Sequence, residues 1–459
     1  MNAFSRFLSQ YGMVFVLLLL CVFFSLATLR EQHPTGVDAA KALERQLIEA
    51  TRAGTPAADA AVVIVSRAGE ADVRFARELA RRLAEHGRSA TGVVSGDPAA
   101  IRRALEPFAD GGPGTAAQGA RPAARLIVAT RSTDAPVVRS VLAAFPTLAQ
   151  TPVLTPPSYR WPTFLLPDNL LNVANQIAVI AILAIGMTMV IITGGIDLSV
   201  GSLIALAAVV TTGLIGQMGG EVATGGAMVA AGLAAIVMCG LIGSFSGFMI
   251  TRFGVPPFIA TLGMMQVASG LAYILSQGKP IYRVPEALVT LGRGTDPLLG
   301  LPYAVLLMAV LYLIAHLLMS RTTLGRYIYA VGGNAEAARL AGVRVKGVLL
   351  FVYAVCGMLA GLGGVVMASQ LKSGAPTYGL MYELYVIAAV VVGGTSLSGG
   401  EGRILGTLIG AFINAVIQNG MNLPNVESYT QKVVLGLVIL GAVLLDRLKH
   451  RGLGRRRTR

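Results

Sequence analysis

Long apolar segments alternate with short polar connections through most of this 459-residue chain. A helix that crosses a bilayer needs about 20 mostly apolar residues. The segments that meet or approach this length are 12–29, 173–193, 199–217, 226–249, 255–275, 302–320, 348–369, 383–397, 403–421 and 430–446. This pattern predicts an all-α polytopic membrane protein with about ten transmembrane helices. In an alternative interpretation, 173–193 and 199–217 form one broken unit.

The segment 31–160 interrupts this pattern with the composition of a soluble domain. Predicted strands at Ala61–Ser66, Thr91–Ser95, Arg125–Thr130 and Pro152–Leu154 alternate with predicted helices at Phe75–His86, Pro98–Phe108 and Val137–Phe145. Such alternation is typical of a small α/β domain with a parallel sheet. The chain is therefore expected to comprise a first span (1–30), an α/β insert (31–160), a core with nine further spans (161–446) and a basic tail (447–459).

Composition and charge agree with a membrane protein. The chain is 54% hydrophobic and only 13% charged, whereas soluble domains carry about 25% charged residues. Much of the net charge of +14 lies in the tail. Beside a final apolar segment, such a tail is better interpreted as an anchor at anionic lipid than as a nucleic-acid site. The three cysteines are dispersed through apolar segments, which indicates neither a disulfide framework nor a metal site.

The basic loops predict the orientation in the membrane. The loop 321–347 carries five basic residues and one acid, so we expect it and the tail to be cytoplasmic. Counting spans back from this loop places the N-terminus in the cytoplasm and the insert outside. Alternatively, the first span is a signal peptide, although its apolar run is long for one.

Polar residues are few in the apolar segments, and they are candidates for a translocation path or gate. A carboxylate beside hydrocarbon typically faces a water-filled path, a partner or a helix end. The candidates are Asn175, Gln176, Thr188, Asp197, Ser199, Ser202 and Glu383. Amides and hydroxyls suit an uncharged, hydroxylated solute, but they equally suit hydrogen bonds between helices. Asp197 falls on the expected cytoplasmic side, which favours a gate or coupling role over a midplane binding site.

A short helix is predicted in the basic loop. Asn334 can cap its N-terminus and Gly342 can end it, and Glu336 in its first turn suits the helix dipole. A helix of this kind can lie in a groove of a soluble partner and transmit motion. The candidate coupling residues are Gly333, Asn334, Glu336, Ala337, Ala338, Arg339 and Gly342. The alternative is an ordinary amphipathic connector.

The segment Leu397–Glu401 reads Leu-Ser-Gly-Gly-Glu, which is similar to a signature of ATP-hydrolysing transport subunits. A nucleotide site also requires the G-x-x-x-x-G-K-[ST] loop, and the chain contains no such pattern. We therefore expect no ATP hydrolysis, no enzymatic activity and no cofactor in this chain.

Residues 162–446 closely resemble the permease subunits of ribose-type ABC importers. The motifs that carry the resemblance are Asn169-Leu170 with Asn172, Gly194–Ser202, Pro257–Leu262, Leu324–Ala330 with Gly332-Gly333-Asn334, and Gly393–Leu397 with Gly402-Arg403. The resemblance implies a multi-pass protein of the bacterial inner membrane with both termini cytoplasmic. It also implies three partners: an ATPase subunit that binds the ATP, a periplasmic sugar-binding protein, and a second permease copy or paralogue. The segment Glu336–Ala338 would then be the coupling helix.

The insert is a departure from this family, which joins its first two spans by a short loop. The resemblance implies an ATP-driven importer for a monosaccharide, and the insert is expected to act as a spacer or docking element. The alternative function is a membrane sensor whose α/β domain binds a ligand at its strand ends. An ion-driven transporter is disfavoured because carboxylates near the midplane are scarce.

Overall fold

The computed structural model describes residues 3–52, 61–66, 69–86, 90–109, 126–131, 134–146 and 148–454. The chain forms two units. One, termed the membrane unit, comprises Met1–Thr28 and Pro162–Arg459, and the other, termed the α/β unit, comprises Leu29–Trp161. The end of the predicted basic tail lies outside the described residues.

Helix α1 (Ala3–Ala27) opens the chain, and the elements of the α/β unit follow it. They are β1 (Leu29–Gln32), α2 (Gly36–Arg52), β2 (Ala61–Ser66), α3 (Glu70–Glu85), β3 (Ala90–Ser95), α4 (Pro98–Ala109), β4 (Leu126–Thr130), α5 (Ala135–Ala143), β5 (Val153–Leu154) and β6 (Tyr159–Pro162). The predicted strands and helices of the insert are all present, within a few residues of their expected bounds. Helix α2 was not predicted.

The main sheet of the α/β unit is parallel, as predicted, with strand order β3-β2-β4-β5. Strand β2 shows why both faces are covered, because its alternate residues point to opposite sides. Val62 and Ile64 pack against α2 and α3, whereas Val63 and Val65 pack against α4 and α5. Burial on both faces explains why β2 reads as a continuous apolar run instead of an alternating one.

The membrane unit continues after a 3₁₀ turn at Thr163–Leu165. Its helices are α6 (Pro167–Ile192), α7 (Val200–Gln217), α8 (Gly225–Phe253), α9 (Pro257–Ser276), α10 (Glu286–Arg293), α11 (Tyr303–Arg321), α12 (Thr323–Gly333), α13 (Ala335–Leu340), α14 (Val345–Leu371), α15 (Tyr382–Val392), α16 (Ile404–Asn422) and α17 (Ser428–Gly454). A second 3₁₀ turn, Gly220–Val222, links α7 to α8.

The expectation of about ten spans is met in part. Among the described residues, seven helices are long and apolar enough to cross a membrane: α6, α7, α8, α9, α11, α14 and α16. The apolar part of α1, Gly12–Ala27, is shorter, and so is α15. The predicted span 383–397 is therefore wrong in length. The chain before α15 is not helical and Gly393 ends the helix, so only Tyr382–Val392 is helical.

Helix α14 lies at the centre of the membrane unit and packs against α6, α7 and α8. Glycines permit the close approach. A Cβ at Gly361 would lie 2.9 Å from the Cα of Ile236 in α8, and a Cβ at Gly364 would lie 2.6 Å from the Ile204 oxygen in α7. Gly357 and Gly361 of α14, four residues apart, both lie in this contact with α8, where small residues let helix backbones approach closely. Helix α9, by contrast, exposes large apolar side chains, which suits a surface facing lipid.

Candidate functional site

A polar cavity lies between α6, α14, α15 and α16. It has a volume of about 240 Å³, which is just below the range of about 300–1,000 Å³ typical of small-molecule pockets. Its polar lining consists of Gln176, Gln370, Gln418 and Tyr382, and the other lining residues are apolar. Of these four polar residues, the sequence analysis selected only Gln176 as a site residue.

Hydrogen bonds fix the positions of Gln370, which lines the cavity, and of Asn175, the neighbour of Gln176. The Gln370 side-chain amide donates a hydrogen bond to the Asn175 carbonyl over 3.0 Å. The Asn175 side chain in turn donates to the Gly292 carbonyl of α10 over 3.0 Å. The Ser369 hydroxyl accepts from the Gly292 nitrogen over 2.7 Å. Asn175 is thus a bracing residue between α6 and α10, whereas its neighbour Gln176 lines the cavity.

The chain breaks between α6 and α7, as the sequence indicated, and the break lies inside the protein. A Cβ at Gly363 would meet Leu183 of α6, and a Cβ at the next residue, Gly364, would meet Ile204 of α7. Leu183 of α6 and Ile204 of α7 therefore lie at nearly the same level along α14. From this level, α6 continues from Leu183 to Ile192, which is about 13 Å at 1.5 Å per residue. Helix α7 begins at Val200, only about one turn before Ile204. The loop 193–199 consequently runs back along α6.

Asp197 lies in this returning loop and is fully buried. One carboxylate oxygen accepts hydrogen bonds from the Ser199 nitrogen at 2.9 Å and the Ser199 hydroxyl at 2.6 Å. The Asp197 carboxylate also interacts with the buried Cys356 thiol of α14, and the hydroxyl of Tyr353 is buried without a hydrogen-bond partner among the described residues. Asp197 and Ser199 therefore shape the turn into α7 and do not line the cavity.

A second non-helical segment precedes α15 and runs beside α7. Gly374 lies against Ala208, and Gly379 lies against Gly201 and Ile204. The segment therefore follows α7 back towards its N-terminus, and α15 begins there. The carboxylate of Glu383, in the first turn of α15, contacts Gly201 in the first turn of α7. Helix N-termini carry partial positive charge, so a negative charge on Glu383 is favourable at the N-termini of both α7 and α15.

Two further candidates occupy other positions. Thr188 is fully buried, and its hydroxyl lies 2.7 Å from that of Thr407, so it joins α6 to α16. Ser202 is half-buried in the first turn of α7. The seven path candidates therefore do not form one cluster. Gln176 lines the cavity, Glu383 contacts the start of α7, and Ser202 lies in the first turn of α7. The other four make packing contacts: Asn175, Thr188, Asp197 and Ser199.

The predicted short helix is present as α13. The Asn334 side chain accepts a hydrogen bond from the Ala337 nitrogen over 2.9 Å, and Gly342 follows the helix with a φ of +86°. The Arg339 guanidinium bonds to Glu336 and thereby lowers the pKa of that exposed carboxyl. Ala338 is buried, whereas the other residues of α13 are exposed, and Leu340 is 77% exposed.

Glycines connect the end of α12, just before α13, to the end of α6. The Gly400 nitrogen donates to the Ile192 carbonyl over 2.8 Å, and a Cβ at Gly332 would overlap this carbonyl and lie 2.7 Å from the Gly400 nitrogen. A Cβ at Gly399 would lie 3.3 Å from the Cα of Gly194. We term this contact, formed by Gly194, Gly332, Gly399, Gly400 and the Ile192 carbonyl, the glycine junction.

The segment that resembles an ATPase signature therefore belongs to a helix junction. Leu397–Glu401 lies in the turn between α15 and α16 and contributes Gly399 and Gly400 to the glycine junction. The Tyr329 hydroxyl of α12 also donates to the Gly402 carbonyl over 2.8 Å. The glycines serve close packing of three chain segments at this position.

Residues 169–443, more than half of the chain, match the family described as "Branched-chain amino acid transport system / permease component". The chain belongs to this permease family. It is 46% identical over 290 residues to the ribose import permease of Bacillus subtilis (strain 168), which covers 63% of the chain and 87% of that protein. No solved structure matches the chain significantly.

Further relatives extend the range of named sugars. The chain is 40% identical over 290 residues to the L-arabinose transport system permease of Escherichia coli (strain K12), covering 63% of the chain and 86% of the relative. It is 35% identical over 293 residues to the D-allose transport system permease of that strain, covering 62% and 85%. The resemblance to permeases of ribose-type importers, expected from the motifs, is confirmed, and the chain is a multi-pass membrane protein.

Proposed function

We propose that this chain is the permease subunit of an ATP-driven importer for a monosaccharide in the bacterial inner membrane. The family and the relatives named for ribose, arabinose and allose support a sugar importer. The ATP is bound and hydrolysed by a partner subunit, so this chain carries no cofactor. A periplasmic binding protein delivers the sugar, and a second permease copy or paralogue completes the pore.

The glycine junction is the observation that carries the mechanism. In the proposed orientation, the loop with α12 and α13 is cytoplasmic, and the N- and C-termini are cytoplasmic too. The exposed residues of α13 lie in a groove of the ATPase. A displacement of α13 reaches the end of α6 through Gly332, because the methylene there touches the Ile192 carbonyl without any intervening side chain. It then reaches the returning loop with Asp197, and through α7 it reaches Glu383 at the start of α15.

This sequence of contacts assigns roles to the candidate residues. Gly333, Asn334, Glu336, Ala337, Ala338, Arg339 and Gly342 form or bound the coupling helix. Asp197 and Ser199 hold the hinge between α6 and α7, and Glu383 holds the two helix N-termini together. Gln176 meets the sugar, and Asn175, Thr188 and Ser202 support the helices around it.

Docking of the ATPase on α13 is tested by placing a charge on its exposed apolar residue. Leu340→Glu puts a desolvated carboxylate into the proposed groove, so co-purification of the ATPase subunit should be lost. Leu298→Glu is the matched control, since Leu298 is 90% exposed in the connection between α10 and α11, which the proposed orientation places on the outer side. Equal ATPase recovery with both variants would contradict the assignment of α13 as the coupling helix.

The α/β unit is proposed to lie outside and to restrict which binding protein docks. Deletion of residues 34–158 retains the paired strands β1 and β6 on either side of the deletion. This variant should bind the binding protein with a different affinity and should still assemble with the ATPase. Unchanged docking and unchanged uptake would remove the unit from the mechanism.

A further inference from the structure

We infer that the cavity between α6, α14, α15 and α16 is the compartment that holds the sugar during transport, and that Gln176, Gln370, Gln418 and Tyr382 are its specificity-determining residues. The inference rests on the proposed function, because it names the site at which that function acts. All four residues lie outside the motifs that carry the family resemblance.

The chemistry of the lining fits an uncharged, polyhydroxylated ligand. A sugar hydroxyl both donates and accepts hydrogen bonds, and a glutamine amide offers two donors and one acceptor oxygen. None of the residues that line the cavity carries a charge, so a carboxylate or phosphate ligand would lack a counter-ion. The volume of about 240 Å³ suits a small solute.

Two of the amides are available for a ligand. Among the described residues, the side chains of Gln176 and Gln418 make no hydrogen bond; Gln418 is half-buried, whereas Gln176 is exposed. Polar groups in a membrane protein usually find partners, so the unpartnered, half-buried amide of Gln418, which lines the same cavity as Gln176, indicates a ligand. Gln370 is held in place by the Asn175 carbonyl, which directs a pre-positioned amide towards the same space.

The apolar side of the cavity completes the fit. Ile177, Ile180, Met367 and Leu371 also line it, and the ring of Tyr382 packs edge-on against that of Tyr385 at a centroid distance of 6.2 Å. A monosaccharide presents C–H faces as well as hydroxyl edges, so an apolar wall with an aromatic ring next to amides matches both surfaces.

The cavity lies next to the contact between α15 and the start of α7. Tyr382 is the first residue of α15 and precedes Glu383, whose carboxylate contacts the start of α7. Any displacement of α7 relative to α15 therefore changes the wall formed by Tyr382. The cavity would tighten or open in step with the break between α6 and α7.

The test uses the complete importer in proteoliposomes, with its ATPase and binding protein. Sugar uptake and ATP hydrolysis are measured together for Gln176→Leu, Gln418→Leu and Tyr382→Phe. Each change removes one hydrogen-bonding group, so uptake per ATP hydrolysed should fall roughly two- to tenfold. Gln217→Leu is the control, because Gln217 ends α7 exposed and outside the cavity, and its ratio should equal that of the wild type.

The outcomes separate this inference from the proposed function. Wild-type ratios in all three cavity variants would overturn the inference and leave the importer function standing. A wild-type complex that takes up no sugar would instead reject the proposed function. If a leucine variant fails to assemble, Tyr382→Phe decides alone, because it removes a single oxygen atom and keeps the ring.

Discussion

Gly332→Ala is expected to uncouple ATP hydrolysis from transport. The new methyl group would overlap the Ile192 carbonyl oxygen, and this oxygen cannot move away freely because it accepts a hydrogen bond from the Gly400 nitrogen at 2.8 Å. Helix α12 and the end of α6 must therefore separate. Overpacking of this kind costs about 1–3 kcal/mol, and the better helix propensity of alanine offsets at most about 1 kcal/mol of it.

Gly347→Ala provides the matched control. Gly347 also lies in a helix near the coupling loop, but a Cβ there would meet only the Cβ of Arg344, at an ordinary distance of 3.8 Å. The assay compares sugar uptake per ATP hydrolysed in proteoliposomes. A perturbation of about 1.4 kcal/mol corresponds to a tenfold change, so Gly332→Ala should reduce the ratio by about that factor. Equal ratios for the two variants would refute the reasoning that the glycine junction transmits motion.

Three other predictions concern packing in the two units. Asp197→Ala removes the acceptor for two hydrogen bonds from Ser199, so it should lower the midpoint of thermal unfolding. Asp197→Asn keeps an acceptor oxygen, so it should unfold at the temperature of the wild type but show lower transport. Identical midpoints for the two variants would contradict this prediction. Asn169 and Asn419 exchange side-chain hydrogen bonds of 3.0 and 2.9 Å, so a double-mutant cycle to alanine should yield a coupling energy of about 0.6–1.7 kcal/mol, and a value of zero would show that the pair is not formed. Phe75 is fully buried beneath the sheet of the α/β unit, so Phe75→Ala should destabilise that unit by about 3–5 kcal/mol in a denaturant titration, and a loss below 1 kcal/mol would contradict the packing described.

Local signals account for much of what the sequence predicted. Asn334 and Gly342 bound α13 because a side-chain cap and a left-handed glycine act within one helical turn. The run Ala61–Ser66 predicted a strand because β-branched apolar residues favour strands. Helix α2 carried a signal that was overlooked, since Leu43 and Leu47 have the spacing of a helix face and both are fully buried.

The cavity and the depth of Asp197 depended on long-range packing that no local pattern contains. Gln370 and Gln418 are visible as polar residues in apolar segments, but only the packing of α14 and α16 against α6 brings them into one cavity with Gln176. The burial of Asp197 follows from the packing of α6 and α7 on α14. Gly363 of α14 contacts Leu183 of α6, and Gly364 contacts Ile204 of α7, so the loop between the two helices lies inside the protein. The length of α15 was wrong at its C-terminal end, because the predicted span continued to Leu397 whereas the helix ends at Val392, before the glycine pair Gly393-Gly394.

The central claim is that this chain transports a monosaccharide under the control of an ATPase, and the most direct measurement is uptake into proteoliposomes. The complex of this chain, its ATPase and its binding protein should accumulate a labelled pentose or hexose only when ATP is present on the ATPase side. Uptake should cease when the ATPase subunit is omitted. Ligand binding by the complex without any ATP-dependent accumulation, across a panel of such sugars, would contradict the account and favour a sensor.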